Sequence, residues 1–204
     1  MDFTWEHSRR AFHEAADWYV ATSGLVGQRW DAPGLGEWSV RDLVGHTSRS
    51  LLTVETYLAR PAQEVAVGSA SGYVRASRVV AAGPEVAQRG RDAGVALGDD
   101  PPAAVARIAT RVLGLLAACD GTELVTTIVG GMRLRDYLPT RTFELAVHTA
   151  DLAVALGEPP DVPVAAAEQA LAIVSDLALT DGAAGPLLLR ATGRSWPPPG
   201  FSVL

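Results

Sequence analysis

The stretch from Tyr137 to Asp151, YLPTRTFELAVHTAD, limits the choice of fold more than any other part of the chain. Read as an α-helix, it carries polar side chains at spacings of four, three, four and three residues: Tyr137, Arg141, Glu144, His148 and Asp151. At about 100° per residue, these positions form a stripe roughly 80° wide on one side of the helix. The remaining residues are mostly apolar or small, which predicts a buried helix. Burying such a stripe is costly unless its members are paired or bind a ligand.

Within the stripe, Glu144 and His148 are one helical turn apart, so both side chains can reach one metal ion. Asp151 follows one turn later and is placed to accept the second N–H of a metal-bound His148. Arg141 is placed to neutralise Glu144 or to bind an anionic substrate. A structural alternative is a buried Arg141–Glu144 pair beside a hydrogen-bonded His148–Asp151 couple. Spacing alone leaves both open, because a single E-x-x-x-H is a weak motif.

The segment WSVRDLVGH, Trp38 to His46, supplies a candidate third ligand. Ser39 and the aspartate three residues later form an S-x-x-D capping box, which predicts a helix that places His46 two turns in. Gly45 lowers helix propensity there, which indicates that another backbone or a ligand approaches closely. Trp38 precedes the cap and is expected to pack on Leu43. The residues sharing the His46 face are a mixed set: Asp42, Leu43, Arg49, Ser50 and Thr53.

Two histidines and a carboxylate match the open kind of zinc site, in which three protein ligands leave a position for water or substrate. The same set, His46, Glu144 and His148, also suits ferrous iron or nickel. The chain has no G-x-S-x-G, Walker loop, C-x-x-C or strand-linked G-x-G-x-x-G motif. Tyr73 and Tyr137 are candidate proton donors, although packing is the commoner role of tyrosine.

The charge and apolar content of the chain argue against several classes of protein. The net charge is −6 and the arginines are scattered, which argues against a nucleic-acid-binding face. No apolar run is long enough to span a membrane, and the first residues do not resemble a signal peptide. The single cysteine, Cys119, predicts a reducing, cytoplasmic environment. It lies in the apolar run VLGLLAAC, which favours a buried structural role over that of a nucleophile.

The patterns predict an all-α bundle over residues 1–185 and a proline-rich tail over residues 186–204 that packs on it. One β-hairpin is expected at residues 123–134, because β-branched residues flank Gly130-Gly131. The polar-striped helix should follow, with Asp136 as its N-cap, and end at Gly157. A break at Gly83-Pro84 divides the helical pattern of residues 72–97, and an extra helix is expected at residues 164–180.

The Trp38–His46 motif and RTFELAVHTADLAVALG, Arg141 to Gly157, together resemble the metal-binding domain of mycothiol-dependent maleylpyruvate isomerases. That domain belongs to the DinB-like superfamily of four-helix metalloproteins, and the resemblance extends over about residues 3–180. It implies a DinB-like four-helix bundle with a small hairpin. It also implies that His46, Glu144 and His148 hold the metal, usually zinc.

The resemblance further implies an activated low-molecular-weight thiol, such as mycothiol, that attacks an electrophilic substrate in an S-transferase or isomerase reaction. Arg141 and Tyr137 would line the open side of the metal, and Asp151 would orient His148. Maleylpyruvate isomerases carry a further C-terminal domain, so this chain looks more like the shorter, stand-alone actinobacterial members. Alternatives are a non-catalytic metal-binding bundle and a metal-dependent hydrolase that uses bound water. The sequence also leaves open a homodimer through exposed bundle faces.

Overall fold

The computed structural model describes residues 3–81, 84–197 and 199–204. Within these ranges the chain forms helices and one two-stranded antiparallel hairpin, and no helix is both long and apolar enough to cross a membrane. The elements are α1 (Trp5–Gly24), α2 (Val40–Leu58), α3 (Ala70–Ala81), α4 (Pro84–Ala96), α5 (Pro101–Leu116), β1 (Leu124–Thr127), β2 (Gly130–Arg133), α6 (Leu134–Leu156), α7 (Val164–Thr180) and α8 (Ala184–Ala191).

Four of these helices, α1, α5, α2 and α6, form a closed bundle in which each packs against two neighbours in that cyclic order. Their inward faces supply most of the core, because apolar residues recur at helical spacing on each of them. Fully buried examples are Phe12, Tyr19, Leu43, Leu51, Val105, Val112, Leu138 and Leu145. The predicted all-α bundle with a small hairpin is therefore confirmed.

The polar-striped helix α6 starts earlier than its sequence pattern predicted. Asp136 is not the N-cap, because β2 runs directly into the helix and the cap residue is Arg133, without a side-chain cap bond. The first backbone N–H groups find other acceptors: Leu134 donates to the carbonyl of Glu123 at 2.7 Å, and Arg135 to that of Gly121 at 3.1 Å. Since carbonyl groups just before β1 accept from these donors, the helix needs no capping side chain.

The C-terminal end of α6 lies where the sequence pattern predicted it. Gly157 adopts the left-handed conformation with φ of 75° and caps the helix, as predicted. Beyond it, α7 packs against α6 and α1, and α8 packs against α7. The final residues return to α3, where Arg78 donates a hydrogen bond to the carbonyl of Val203 at 2.5 Å.

Helix α4 packs closely along α2, and glycines make this possible. A Cβ added to Gly45 would lie 2.1 Å from the backbone nitrogen of Gly94, and one added to Gly94 would lie 3.0 Å from the Arg41 carbonyl oxygen. The predicted close approach at Gly45 is confirmed, and the approaching group is the backbone of α4. Of the predicted break at Gly83-Pro84, Gly83 lies outside the described residues.

Residues 60–67, which connect α2 to α3, pair with the hairpin. The backbone N–H of Thr126 donates to the Arg60 carbonyl at 2.8 Å, and that of Ala66 donates to the Gly131 carbonyl at 2.8 Å. A Cβ at Gly131 would lie 2.0 Å from the Glu64 carbonyl oxygen, so only glycine fits there. This pairing holds the hairpin beside the end of α2 and positions its turn near the site described next.

Candidate metal centre

Helices α2 and α6, adjacent in the bundle, bring three potential metal ligands together. His46 projects from α2, and Glu144 and His148 project from α6. One potential donor atom from each residue lies within 4.8 Å of the other two. Residues about a hundred positions apart in the chain thus form one cluster, and each is only partly accessible to solvent.

The His148 imidazole lies between two carboxylates. Its Nε2 is 3.3 Å from Glu144 Oε2, and its Nδ1 is 3.1 Å from Asp151 Oδ2. Asp151 is therefore within hydrogen-bond distance on the side away from the cluster. With a proton on Nδ1 donated to Asp151, the lone pair of Nε2 faces the other two ligands.

The His46 imidazole differs from that of His148 in having no carboxylate beside its buried Nδ1. Its ring meets the His148 ring edge-on, with centroids 4.8 Å apart and an interplanar angle of 87°. Its Nδ1 is buried without a hydrogen-bond partner. Burial, followed by the positive charge of His148, lowers the pKa of His46 to about 4. His46 is therefore neutral at pH 7, the form in which an imidazole binds a metal.

The electrostatics of Glu144 and His148 describe an ion pair when no metal is bound. Burial alone would raise the pKa of Glu144, but the hydrogen bond from His148 and the charge of Arg141 lower it to about 2. Burial alone would lower the pKa of His148, but its hydrogen bonds to Asp151 and Glu144 raise it to about 9. A metal ion must therefore displace a proton from His148 before it can bind there.

The residues fit a divalent ion with nitrogen and oxygen ligands. Two imidazoles and a carboxylate are the donor set of many open zinc sites. The contact of Asp151 with His148 is the carboxylate support that such imidazoles commonly have. The unsatisfied polar nitrogen of His46 would otherwise carry a desolvation cost without compensation.

A cavity of about 320 Å³ opens beside His46 and Glu144. Three arginines line it, Arg49, Arg89 and Arg141, which makes its wall strongly cationic. The other lining residues are Ser50, Thr53, Tyr57, Tyr73, Ser77, Val86 and Ile128. A pocket of this size can hold a small molecule next to the three-residue cluster.

Arg141 presents its charge to this cavity. Its guanidinium carbon lies 5.3 Å from the ring centre of Tyr73 and 5.2 Å from that of Tyr137, and its Nε donates to Thr140 Oγ1 at 3.0 Å. Among the described residues, no carboxylate lies within salt-bridge distance of it, although its charge lowers the pKa of Glu144. Of the structural alternative, the His148–Asp151 couple is present, and a close Arg141–Glu144 salt bridge is not. The two aromatic rings instead hold the guanidinium by cation–π contacts.

Tyr137 lies behind Arg141 and not on the cavity wall. Its side chain is fully buried and packs against Tyr57 and Tyr73, with ring centroids 5.3 and 5.6 Å away. Burial raises the pKa of the Tyr137 phenol. Tyr137 thus contacts the site through Arg141, whereas Tyr73 reaches the cavity directly.

Comparison with known proteins adds independent information. A family model described as the mycothiol maleylpyruvate isomerase N-terminal domain matches residues 11–153, which include the three clustered residues and Asp151. The chain belongs to this family. No match was found among curated proteins or among solved structures. The family assignment confirms the resemblance that the Trp38–His46 and Arg141–Gly157 motifs indicated.

Some residues of this family member's site could be found from its sequence, and others could not. Arg49, Ser50 and Thr53 follow His46 by three, four and seven residues, so helical periodicity places them on its face. Arg89 reaches the cavity from α4, and its position depends on the contact between Gly45 and Gly94. No local pattern around Arg89 predicts that contact.

Zinc binding to the metal-free protein should release about one proton at pH 7, because His148 is protonated below about pH 9 while His46 and Glu144 are not. Affinity should then rise about tenfold per pH unit up to about pH 9 and level off above it. Calorimetry in buffers of different ionisation enthalpy measures the proton count. Asp151→Asn, which removes one of the groups that raise this pKa, should lower the pH at which affinity levels off. Zinc binding without proton release at pH 7 would contradict the assignment.

Proposed function

We propose that this protein is a metal-dependent enzyme that joins a low-molecular-weight thiol to an electrophilic substrate, as an S-transferase or an isomerase. The observation that carries the proposal is the cluster of His46, Glu144 and His148 at the wall of a cationic cavity. Zinc is the metal we propose and mycothiol the thiol, in keeping with the family. We place the reaction in the cytoplasm, where such thiols stay reduced.

The thiol has to come from outside the chain. Cys119 is the only cysteine, and it does not line the cavity. Burial, together with the nearby Glu123 carboxylate, raises the pKa of the Cys119 thiol to about 11, so it is a poor nucleophile at neutral pH. The serine and threonine hydroxyls on the wall are weak nucleophiles without an activating base.

The ligand set suits thiol activation. His46, Glu144 and His148 would hold the divalent metal, which would supply the positive charge that favours the thiolate form of a thiol at neutral pH. Sulfur then bonds to the electrophilic carbon of an activated alkene, an epoxide or a halide. In a transferase, the carbanion formed from an alkene or the alkoxide formed from an epoxide takes a proton from solvent, whereas a halide leaves with the electron pair of its bond to carbon. In an isomerase the C–C bond rotates in the adduct and the thiolate is expelled.

The side chains around the cavity have distinct roles in this proposal. Asp151 keeps the Nδ1 proton of His148 and so fixes which ring nitrogen faces the cluster. Arg141 binds an anionic group of the substrate, because its guanidinium is held by Tyr73 and Tyr137 and not by a carboxylate. Tyr137 acts by holding Arg141 in place.

Zinc-loaded protein, incubated with a panel of thiols that includes mycothiol and with a panel of electrophiles, should form thioether adducts or isomerised products. Mass spectrometry detects the adducts, and chelation of the metal should abolish them. The Cys119→Ser variant should be as active as the wild type, because the attacking sulfur is external. Carboxylate-bearing electrophiles should react faster than their esters if Arg141 binds the anionic group.

Other outcomes would point to a different function. Turnover of ester or amide substrates without any thiol would favour a metal-dependent hydrolase with water as the nucleophile. A rise in melting temperature with zinc, but no adduct with any thiol, would favour a non-catalytic metal-binding bundle. Retention of full activity after complete removal of metal would overturn the proposal.

A further inference from the structure

The two histidines of the cluster are oriented by different means. His148 has Asp151 on its second ring nitrogen at 3.1 Å, the usual support for a metal-binding imidazole. No carboxylate supports His46 in this way: its buried Nδ1, left open to a metal ion, forms no hydrogen bond within the part of the chain that the structure describes. Something else must limit rotation of the His46 ring.

The nearest candidate is Trp38, the residue just before the α2 capping box. Its ring lies against the His46 imidazole with centroids 4.4 Å apart and an interplanar angle of 35°. A tilted ring contact at this distance restricts the neighbouring ring to a small range of side-chain angles. A smaller apolar side chain at residue 38 would leave open space on that side of the imidazole.

The Trp38 ring is itself held in place by α4. Its Nε1 donates a hydrogen bond to the carbonyl of Ala87 at 3.1 Å. A Cβ added to Gly90 would lie 2.6 Å from Cε2 of the tryptophan, so the ring lies directly on the glycine backbone. The position of the ring is therefore set by two residues of α4, one through a hydrogen bond and one through the absence of a side chain.

Helix α4 is in turn fixed relative to α2, since Gly45 and Gly94 bring the two backbones into direct contact. Gly45 is also the residue immediately before His46. The His46 imidazole thus lies between its own helix and a tryptophan that is anchored to the helix packed against it.

We propose that Trp38 is a positioning residue that holds the His46 imidazole in its metal-binding orientation by ring stacking, and that Ala87 and Gly90 of α4 hold Trp38. This inference rests on the proposed metal site. It identifies Trp38 as a residue that raises the affinity of that site for the metal. An imidazole that is already oriented loses less rotational freedom when a metal binds, so the affinity is higher.

Trp38→Leu removes the stacked ring and should weaken cobalt and zinc binding by about 10–100-fold, the range typical of lost support to a metal ligand. Gly90→Ala keeps the tryptophan but displaces its ring, and it should weaken binding in the same direction. Trp38→Phe keeps an aromatic ring but loses the bond to Ala87, and should have a smaller effect of about threefold. Trp30→Leu is the matched control, because Trp30 contacts Arg41 and is expected to stay within about twofold of the wild type.

Metal dissociation constants come from competition with a chromophoric chelator, and the visible spectrum of the cobalt-loaded protein reports the ligand geometry. Melting of each metal-free variant shows whether it is folded; if Trp38→Leu does not fold, Gly90→Ala and Trp38→Phe decide the question. Wild-type affinity together with an unchanged cobalt spectrum in the folded Trp38→Leu or Gly90→Ala protein would overturn the inference. That result would leave the proposed function intact, whereas a wild-type protein that binds no metal would refute the proposed function itself.

Discussion

The His148→Ala protein is expected to lose stoichiometric metal binding, with its affinity for zinc falling by about a thousandfold or more. Loss of a supporting residue alone typically costs about 10–100-fold, and here a direct ligand is removed, which leaves only His46 and Glu144. His46→Ala should have a comparable effect, since it also reduces the set to two ligands. Metal content of the purified proteins and chelator competition measure both losses.

His13→Ala is the matched control for these variants. His13 is an exposed histidine on α1 whose Nδ1 lies 3.0 Å from Asp17, far along the sequence from the cluster. Its removal should leave one metal per chain and an unchanged dissociation constant. Zinc should also raise the melting temperature of the wild type and of His13→Ala, but not of His148→Ala, because only a ligand bound to the folded state stabilises it. Tight, stoichiometric zinc in His148→Ala would exclude the cluster as the metal centre.

Gly45→Ala is expected to lower the free energy of unfolding by about 3 kcal/mol, a large effect for the addition of one methyl group. The new Cβ would lie 2.1 Å from the backbone nitrogen of Gly94, and backbone atoms cannot move aside as a flexible side chain can. Helices α2 and α4 would have to separate, which would also disturb the contact between Trp38 and α4. Urea unfolding of the metal-free proteins measures the change without a contribution from metal affinity.

Gly114→Ala provides the comparison. Gly114 lies within α5, and a Cβ there would meet nothing within 4 Å. The substitution should stabilise the protein by up to about 1 kcal/mol, because alanine favours a helix more than glycine does. If Gly45→Ala unfolded at the same urea concentration as the wild type, the close packing of α2 on α4 would be wrong.

Much of the fold was predictable because local signals agreed with one another. The capping box at Ser39, the left-handed glycine at Gly157 and the hairpin around Gly130 are all set by residues next to each other in sequence. The stripe on α6 indicated which helix carries polar groups into the interior. His46 was identified from its face of α2 and from the family resemblance, and the structure places it beside Glu144 and His148.

The features that the sequence patterns predicted wrongly or missed have one property in common. They all depend on contacts between segments that are distant in the sequence. Asp136 resembles an N-cap, but carbonyls that precede β1 already satisfy the first donors of α6. Arg141 and Glu144 have the spacing of an ion pair, but Tyr73 from α3 and Tyr137 hold the guanidinium. Sequence periodicity describes one helix at a time and contains no information about such partners.

The ligand cluster and one part of its cavity wall come from different parts of the molecule. His46 and Glu144 stand on bundle helices, whereas Tyr73, Arg89 and Ile128 come from α3, α4 and the hairpin turn, which surround the bundle. Substitutions in these peripheral segments can change the shape and charge of the cavity while the bundle and its ligands stay the same. After gene duplication, descendants of such a protein can diverge in the molecules they accept without having to rebuild the ligand cluster.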